Sequence, residues 1–150
     1  MVKKSERLSK AEVKERMEKF IQLSRDSGLK VTPQRTAVYK ALLKTNEHPS
    51  ADNIFKSVRF RYPNISLDTV NRTLHTLSDI GLAFIVEGSG DAKRYDANLD
   101  DHQHFKCIKC KRIIDCDDCM NDIKVPADIA GKFKVLRKTV YFEGLCDKCK

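Results

Sequence analysis

The sequence predicts an α+β protein in two parts: an N-terminal set of four helices closed by a small hairpin, and a shorter C-terminal α/β unit built around a metal. Three observations predict it. Apolar residues recur at helical spacing as far as Gly81, the period then changes to that of short strands, and all six cysteines fall between Cys107 and Cys149. A chain of 150 residues suffices for one medium domain or two small ones.

In the first helix, over residues 9–27, Val13, Met17, Phe20, Ile21 and Leu23 form the apolar stripe and Gly28 is the stop. Thr32-Pro33 supplies an N-cap and a first-turn proline for a second helix whose inward face is Ala37, Val38, Ala41 and Leu42. Ser50 caps a third carrying Ile54, Phe55 and Val58, which must end before Pro63. Ser66 caps a fourth, with Val70, Leu74, Leu77 and Ile80 on one side and Gly81 as its C-terminal signal. Residues 82–86 then read as a strand, 88–91 as a turn and 93–96 as a returning strand. Helices followed by a hairpin give a winged helix-turn-helix, in which the fourth helix reads DNA. Its side away from the core shows Thr69, Asn71, Arg72, Thr73, His75 and Thr76. These are short donors and acceptors with one Arg, types that reach base edges and phosphates, whereas a merely solvated face carries more Lys and Glu.

Charge agrees with that division. The chain has 29 Lys and Arg against 21 Asp and Glu, a formal charge of +8. Residues 1–90 hold 16 basic and 10 acidic side chains, and residues 91–150 hold 13 and 11. Four thiolates on one divalent cation would bring the C-terminal part to about neutral, so the excess positive charge lies N-terminally, as expected of a part that faces a polyanion. A basic solvated surface also fits the charge alone. No apolar run nears the roughly 18 residues of a membrane span, and residues 1–7 lack the apolar core of a secretory signal. The expectation is a cytoplasmic protein without a membrane partner.

Reduced cytoplasmic thiols are better metal ligands than disulfides. The cysteines form three C-x-x-C pairs, Cys107/Cys110, Cys116/Cys119 and Cys146/Cys149. The outer pairs supply four soft thiolates for a closed tetrahedral Zn2+ site that contributes folding energy. Cys107, Cys110, Cys116 and Cys119 are a second possible set, although it leaves Cys146 and Cys149 exposed. Harder donors gather at Asp96, His102, His104 and Asp115. In an extended segment His102-x-His104 puts both imidazoles on one face, and mixed nitrogen and oxygen donors suit Fe2+, Mn2+ or Zn2+. Residues 97–103 read as a polar linker, and two solvated histidines at its end are the plainer alternative. Around them the sequence predicts strands at 104–106 and 112–115, a short helix within 118–131 and a strand over 134–142. H-x-E is absent and no Ser-His or Cys-His nucleophile pattern stands out, so neither an enzyme nor a small-molecule substrate is expected.

Six segments in order resemble the ferric uptake regulator family of metal-dependent transcription repressors. They are Val31-Thr-Pro-Gln-Arg35, His48-Pro-Ser-Ala-Asp52, Thr69-Val70-x-Arg72-x-Leu74, Arg94-Tyr95-Asp96, His102-x-His104-x-x-Cys107-x-x-Cys110 and Gly144-x-Cys146-x-x-Cys149. The resemblance covers nearly all of residues 29–149. It implies a homodimer bound to a palindrome-like double-stranded DNA operator, with a winged-helix DNA-binding domain over 1–90, a hinge carrying metal ligands over 91–103 and a dimerisation and zinc-binding domain over 104–150. Arg35, Thr69, Asn71, Arg72, Thr73 and His75 then stand as DNA-contacting positions.

The resemblance also implies a ligand that spacing does not show, His48. With Asp96, His102, His104 and Asp115 it matches the five-ligand regulatory site, for Fe2+ or Mn2+, of the family's peroxide-sensing branch. The iron-sensing branch has Glu at the position of Asp96 and commonly at that of Asp115. In the peroxide-sensing relatives bound iron reacts with hydrogen peroxide and a ligand histidine is oxidised; the matching positions are His48 and His102. A ferric-type second site would fall on Asp101, Gln103 and Lys138, where a lysine argues against a cation. Asn71 stands where the family usually has Tyr, and Cys116 and Cys119 are additional to the pattern. The expected function is a peroxide-responsive, metal-dependent repressor. The alternatives are an iron-level repressor and a thiol-disulfide switch at Cys116/Cys119, which lacks a thioredoxin-like βαβ context.

Overall fold

The computed structural model describes residues 8–87, 92–116 and 123–150, which fall into two compact units divided between Leu99 and Asp100. In the N-terminal unit each helix starts at a side-chain cap. Ser9 and Glu12 form a reciprocal capping box at α1 (Lys10–Asp26), and Thr32 accepts the Arg35 N–H at α2 (Pro33–Leu43). Ser50 and Asn53 form the box of α3 (Ala51–Val58), and Ser66 accepts the Thr69 N–H at α4 (Leu67–Asp79). Gly28 and Gly81 take positive φ, +68° and +75°, just past α1 and α4, where residues with a Cβ are disfavoured. β1 (Phe84–Glu87) pairs antiparallel with β2 (Arg94–Asp96), setting Phe84 opposite Asp96. The predicted turn at 88–91 lies outside the described residues.

The core of this unit joins Phe20, Val38, Tyr39, Leu42, Leu74, Leu77 and Leu82. On α2 the buried residues are Val38, Tyr39, Leu42 and Leu43, while Ala37 and Ala41 are only partly covered. The helix is therefore rotated from the expected face: the Tyr39 ring, 5.1 Å from that of Phe20, and Leu43 remove more apolar surface from water than two alanines could.

Among the described residues the C-terminal unit is a three-stranded sheet with one short helix. β3 (Gln103–Cys107) lies between β4 (Ile113–Cys116), antiparallel to it, and β5 (Tyr141–Gly144), parallel to it. The helix expected within 118–131 is α5 (Ala127–Lys132), starting directly after Pro126; residues 118–122 lie outside the description. The strand expected over 134–142 forms only from Tyr141. β3 is five residues long, and its ladder to β5 runs from His104↔Tyr141 to Cys107↔Gly144, with the His104 N–H donating to the Val140 carbonyl at 3.2 Å, so residues 134–139 pair with no strand among the described residues despite their β-forming side chains. Within residues 92–103, Arg94–Asp96 form β2 and Gln103 begins β3. No helix among the described residues is long and apolar enough to cross a membrane.

Candidate functional site

The parallel register that sets Cys107 opposite Gly144 brings the first and last C-x-x-C turns together. One sulfur from each of Cys107, Cys110, Cys146 and Cys149 lies within 4.8 Å of all the others. The Cys110 and Cys146 sulfurs are 3.7 Å apart, close to the edge of about 3.8 Å of a tetrahedron with metal–sulfur bonds of about 2.3 Å. Backbone N–H groups of Cys110 and Cys146 each donate to the Cys107 sulfur at 3.5 Å and draw its thiol down to about 6. Its neighbour Cys149 is pushed up to about 12, first by hydrogen bonding to Cys146 and then by burial. Backbone donors thus favour one thiolate here, and all four together require a cation; the donor set fits Zn2+. Arg112 and Asp147 form an ion pair joining the two turns. Cys116 ends β4 opposite Gln103, outside this group, and Cys119 lies outside the described residues.

Hard donors occur in both units. In the N-terminal unit the loop before α3 is fastened to β2. The Tyr95 N–H donates to the Pro49 carbonyl at 3.0 Å, and the Arg94 guanidinium donates to the carbonyls of His48 and, at 2.9 Å, Glu47. His48 has φ +49°, in the left-handed region. Its Nε2 lies 3.3 Å from Oδ2 of Asp96, whose Oδ1 accepts the Asn98 N–H at 2.8 Å, and both residues are buried.

The C-terminal unit holds three more. His104 is the cross-strand partner of Asp115, and the Nε2 atoms of His102 and His104 lie 3.5 and 3.6 Å from the same Asp115 oxygen. His102 Nδ1 is 2.7 Å from the Asp100 carbonyl, which makes it the donor and puts the lone pair on Nε2, the nitrogen facing Asp115. The His102 and His104 rings are 4.5 Å apart. Nitrogen-to-oxygen distances of 3.3–3.6 Å are long for direct hydrogen bonds. They approach the edges, about 3.0–3.5 Å, of a polyhedron with metal–ligand bonds of about 2.1 Å. The imidazole and carboxylate set of each unit fits a divalent transition metal.

On α4, Arg72 is exposed and paired with Asp68 at 2.9 Å. Thr69, Asn71 and His75 are half-buried; the Thr69 hydroxyl is 2.9 Å from that of Ser66, and the His75 ring meets Tyr95 edge-on at 6.2 Å. Thr73 does not lie on the reading face predicted for it. It is 3% exposed and its hydroxyl donates to the Thr69 carbonyl at 2.7 Å, because position 73 belongs to the buried stripe of Val70, Leu74 and Leu77. Arg35, in the first turn of α2, donates to the Lys30 carbonyl at 2.8 Å. No local spacing signalled the grip of Arg94 on the His48 loop, since the two residues stand 46 positions apart.

Residues 26–142 match the profile of the Ferric uptake regulator family. The peroxide-responsive repressor PerR of Staphylococcus epidermidis is 30% identical over 135 residues, 89% of this chain and 90% of that protein. Among solved structures, PerR from Streptococcus pyogenes, described in terms of peroxide sensing and gene regulation, is 31% identical over 89% of this chain and 92% of its own, with a TM-score of 0.51. The Helicobacter pylori ferric uptake regulator shares the fold, with a TM-score of 0.74 at 23% identity over 96% of each chain.

Proposed function

The chain belongs to the ferric uptake regulator family, and on that premise we propose that it is a cytoplasmic, homodimeric repressor that binds a palindrome-like operator when metal-loaded and releases it on exposure to peroxide. The observation that carries this reading is the donor set: aspartates rather than glutamates at 96 and 115, with buried His48, His102 and His104. His48 and Asp96 from the DNA-reading unit and His102, His104 and Asp115 from the other jointly hold one Fe2+ or Mn2+. When bound, iron supplies one-electron chemistry with peroxide that manganese does not. The protein's own part is to tie two domains through one ligand set, so metal binding and operator binding favour each other by the same free energy. In a dimer the domain orientation fixes the spacing of the two α4 helices, which must match two half-sites.

The Cys107, Cys110, Cys146 and Cys149 site holds structural Zn2+. Exposed Phe133, Leu136, Tyr141, Phe142 and Leu145 suit the C-terminal unit to pairing with a second copy. Arg35, Thr69, Asn71, Arg72 and His75 contact DNA, while Thr73 holds α4 to the core. The Arg72 pair with Asp68 is solvent-exposed and of little net strength, so it yields readily to a base or phosphate. Arg72→Ala is expected to weaken operator binding by about 1–3 kcal/mol without unfolding, and Asn71→Tyr to change sequence preference more than affinity; anisotropy on specific and scrambled duplexes measures both.

The function itself is tested by loading the protein with Fe2+ or Mn2+ and adding peroxide. The iron form is expected to release the operator and the manganese form to keep it. Asp115→Glu, whose longer side chain alters the ligand geometry, should retain metal-dependent binding and lose peroxide sensitivity. Release of the iron form on chelation alone would make the protein an iron-level repressor.

A further inference from the structure

We propose that Arg94 is the positioning residue of the regulatory site, gripping the backbone of the His48 loop so that His48 and Asp96 are delivered to the metal as one prearranged pair. The proposal rests on the regulatory site above and names a residue that holds no metal itself. His48 is held in an unfavourable conformation for two reasons. Its φ of +49° lies in a region that side chains other than glycine enter infrequently, and the ring of the following Pro49 drives a preceding residue towards extended backbone with negative φ. Such a conformation persists only where the surroundings over-determine it.

The surroundings that do so come from one strand. Arg94 donates to two successive carbonyls, of Glu47 and His48, through different guanidinium nitrogens, and Tyr95 donates to the next, of Pro49. Ser50 and Arg94 complete an isolated bridge. The same three-residue strand ends in Asp96, 3.3 Å from the His48 ring. A planar guanidinium with several fixed donors can serve two carbonyls at once; a lysine ammonium on a flexible stem holds them less well.

The test uses the full-length, zinc-loaded dimer with Mn2+ followed by electron paramagnetic resonance, and the visible spectrum of the Co2+ form. Arg94→Met is expected to lose Mn2+ affinity at least tenfold and to take on the Co2+ spectrum of His48→Asn, with zinc content and dimerisation unchanged and the melting temperature lowered by only a few degrees. Arg94→Lys is expected to recover part of the affinity. Wild-type Mn2+ affinity and Co2+ spectrum in both Arg94 variants overturn the proposal, and loss of DNA affinity alongside them assigns Arg94 to DNA instead. If Arg94→Met does not fold, Arg94→Lys decides: reduced affinity with an altered Co2+ spectrum supports the grip, and wild-type values contradict it. Failure of the underlying regulatory site is read separately, as wild-type Mn2+ binding by His48→Asn.

Discussion

Cys146→Ser is expected to remove zinc, the dimer and the fold of the C-terminal unit together. The reason is how little else that unit has. Among the described residues its buried apolar side chains are Cys107, Ile113 and Cys146, two of them sulfur donors, and α5 buries nothing. A sheet of strands four and five residues long with such a core is not stable alone. Apparent structural-zinc free energies of about 10–16 kcal/mol compare with about 5–15 kcal/mol for the whole stability of an ordinary domain, so the site decides whether the unit folds. Zinc content, size-exclusion and circular dichroism check this, with Cys116→Ser as the control that keeps all three. A zinc-loaded dimer that survives Cys146→Ser but not Cys116→Ser contradicts the assignment.

His48→Asn is expected to keep zinc and the dimer while losing metal-activated operator binding. Asn tolerates left-handed backbone better than Ala, so the substitution removes the imidazole with least damage to a loop held at φ +49°. The variant deletes the only histidine that the DNA-reading unit gives to the proposed ligand set. Mn2+ should then raise operator affinity by little, against roughly 5- to 150-fold in the parent protein if the coupling has an ordinary size of about 1–3 kcal/mol. Anisotropy titrations with and without Mn2+ measure it. His48→Ala should behave alike but with a less stable loop, and an undiminished metal response in both removes His48 from the regulatory site.

The fold was legible wherever the information is local. Thr32, Ser50 and Ser66 mark helix starts through hydrogen bonds three residues on, and the change of period after Gly81 marks the hairpin. Legibility failed where tertiary context decides. Residues 134–139 have strand-forming side chains, yet their pairing is limited by the length of β3, which lies about 30 residues earlier. Thr73 is polar and near the edge of the apolar stripe, and only its hydroxyl's bond to the Thr69 carbonyl allows it inside. The four-cysteine group was visible because two tight turns carry it. The His48–Asp96 pair was not, since it is made by a loop and a strand distant in sequence, and family resemblance alone pointed to His48.

Peroxide sensing by this protein is measured most directly by the mass of peptides containing His48 and His102, from anaerobically prepared iron-loaded protein before and after peroxide, with operator binding followed in the same samples. One oxygen is expected to be added to His48 or His102 in step with release of the operator, and neither change is expected in the manganese form. Peroxide treatment that leaves both histidines unmodified, with the operator released only when iron is chelated, would contradict peroxide sensing.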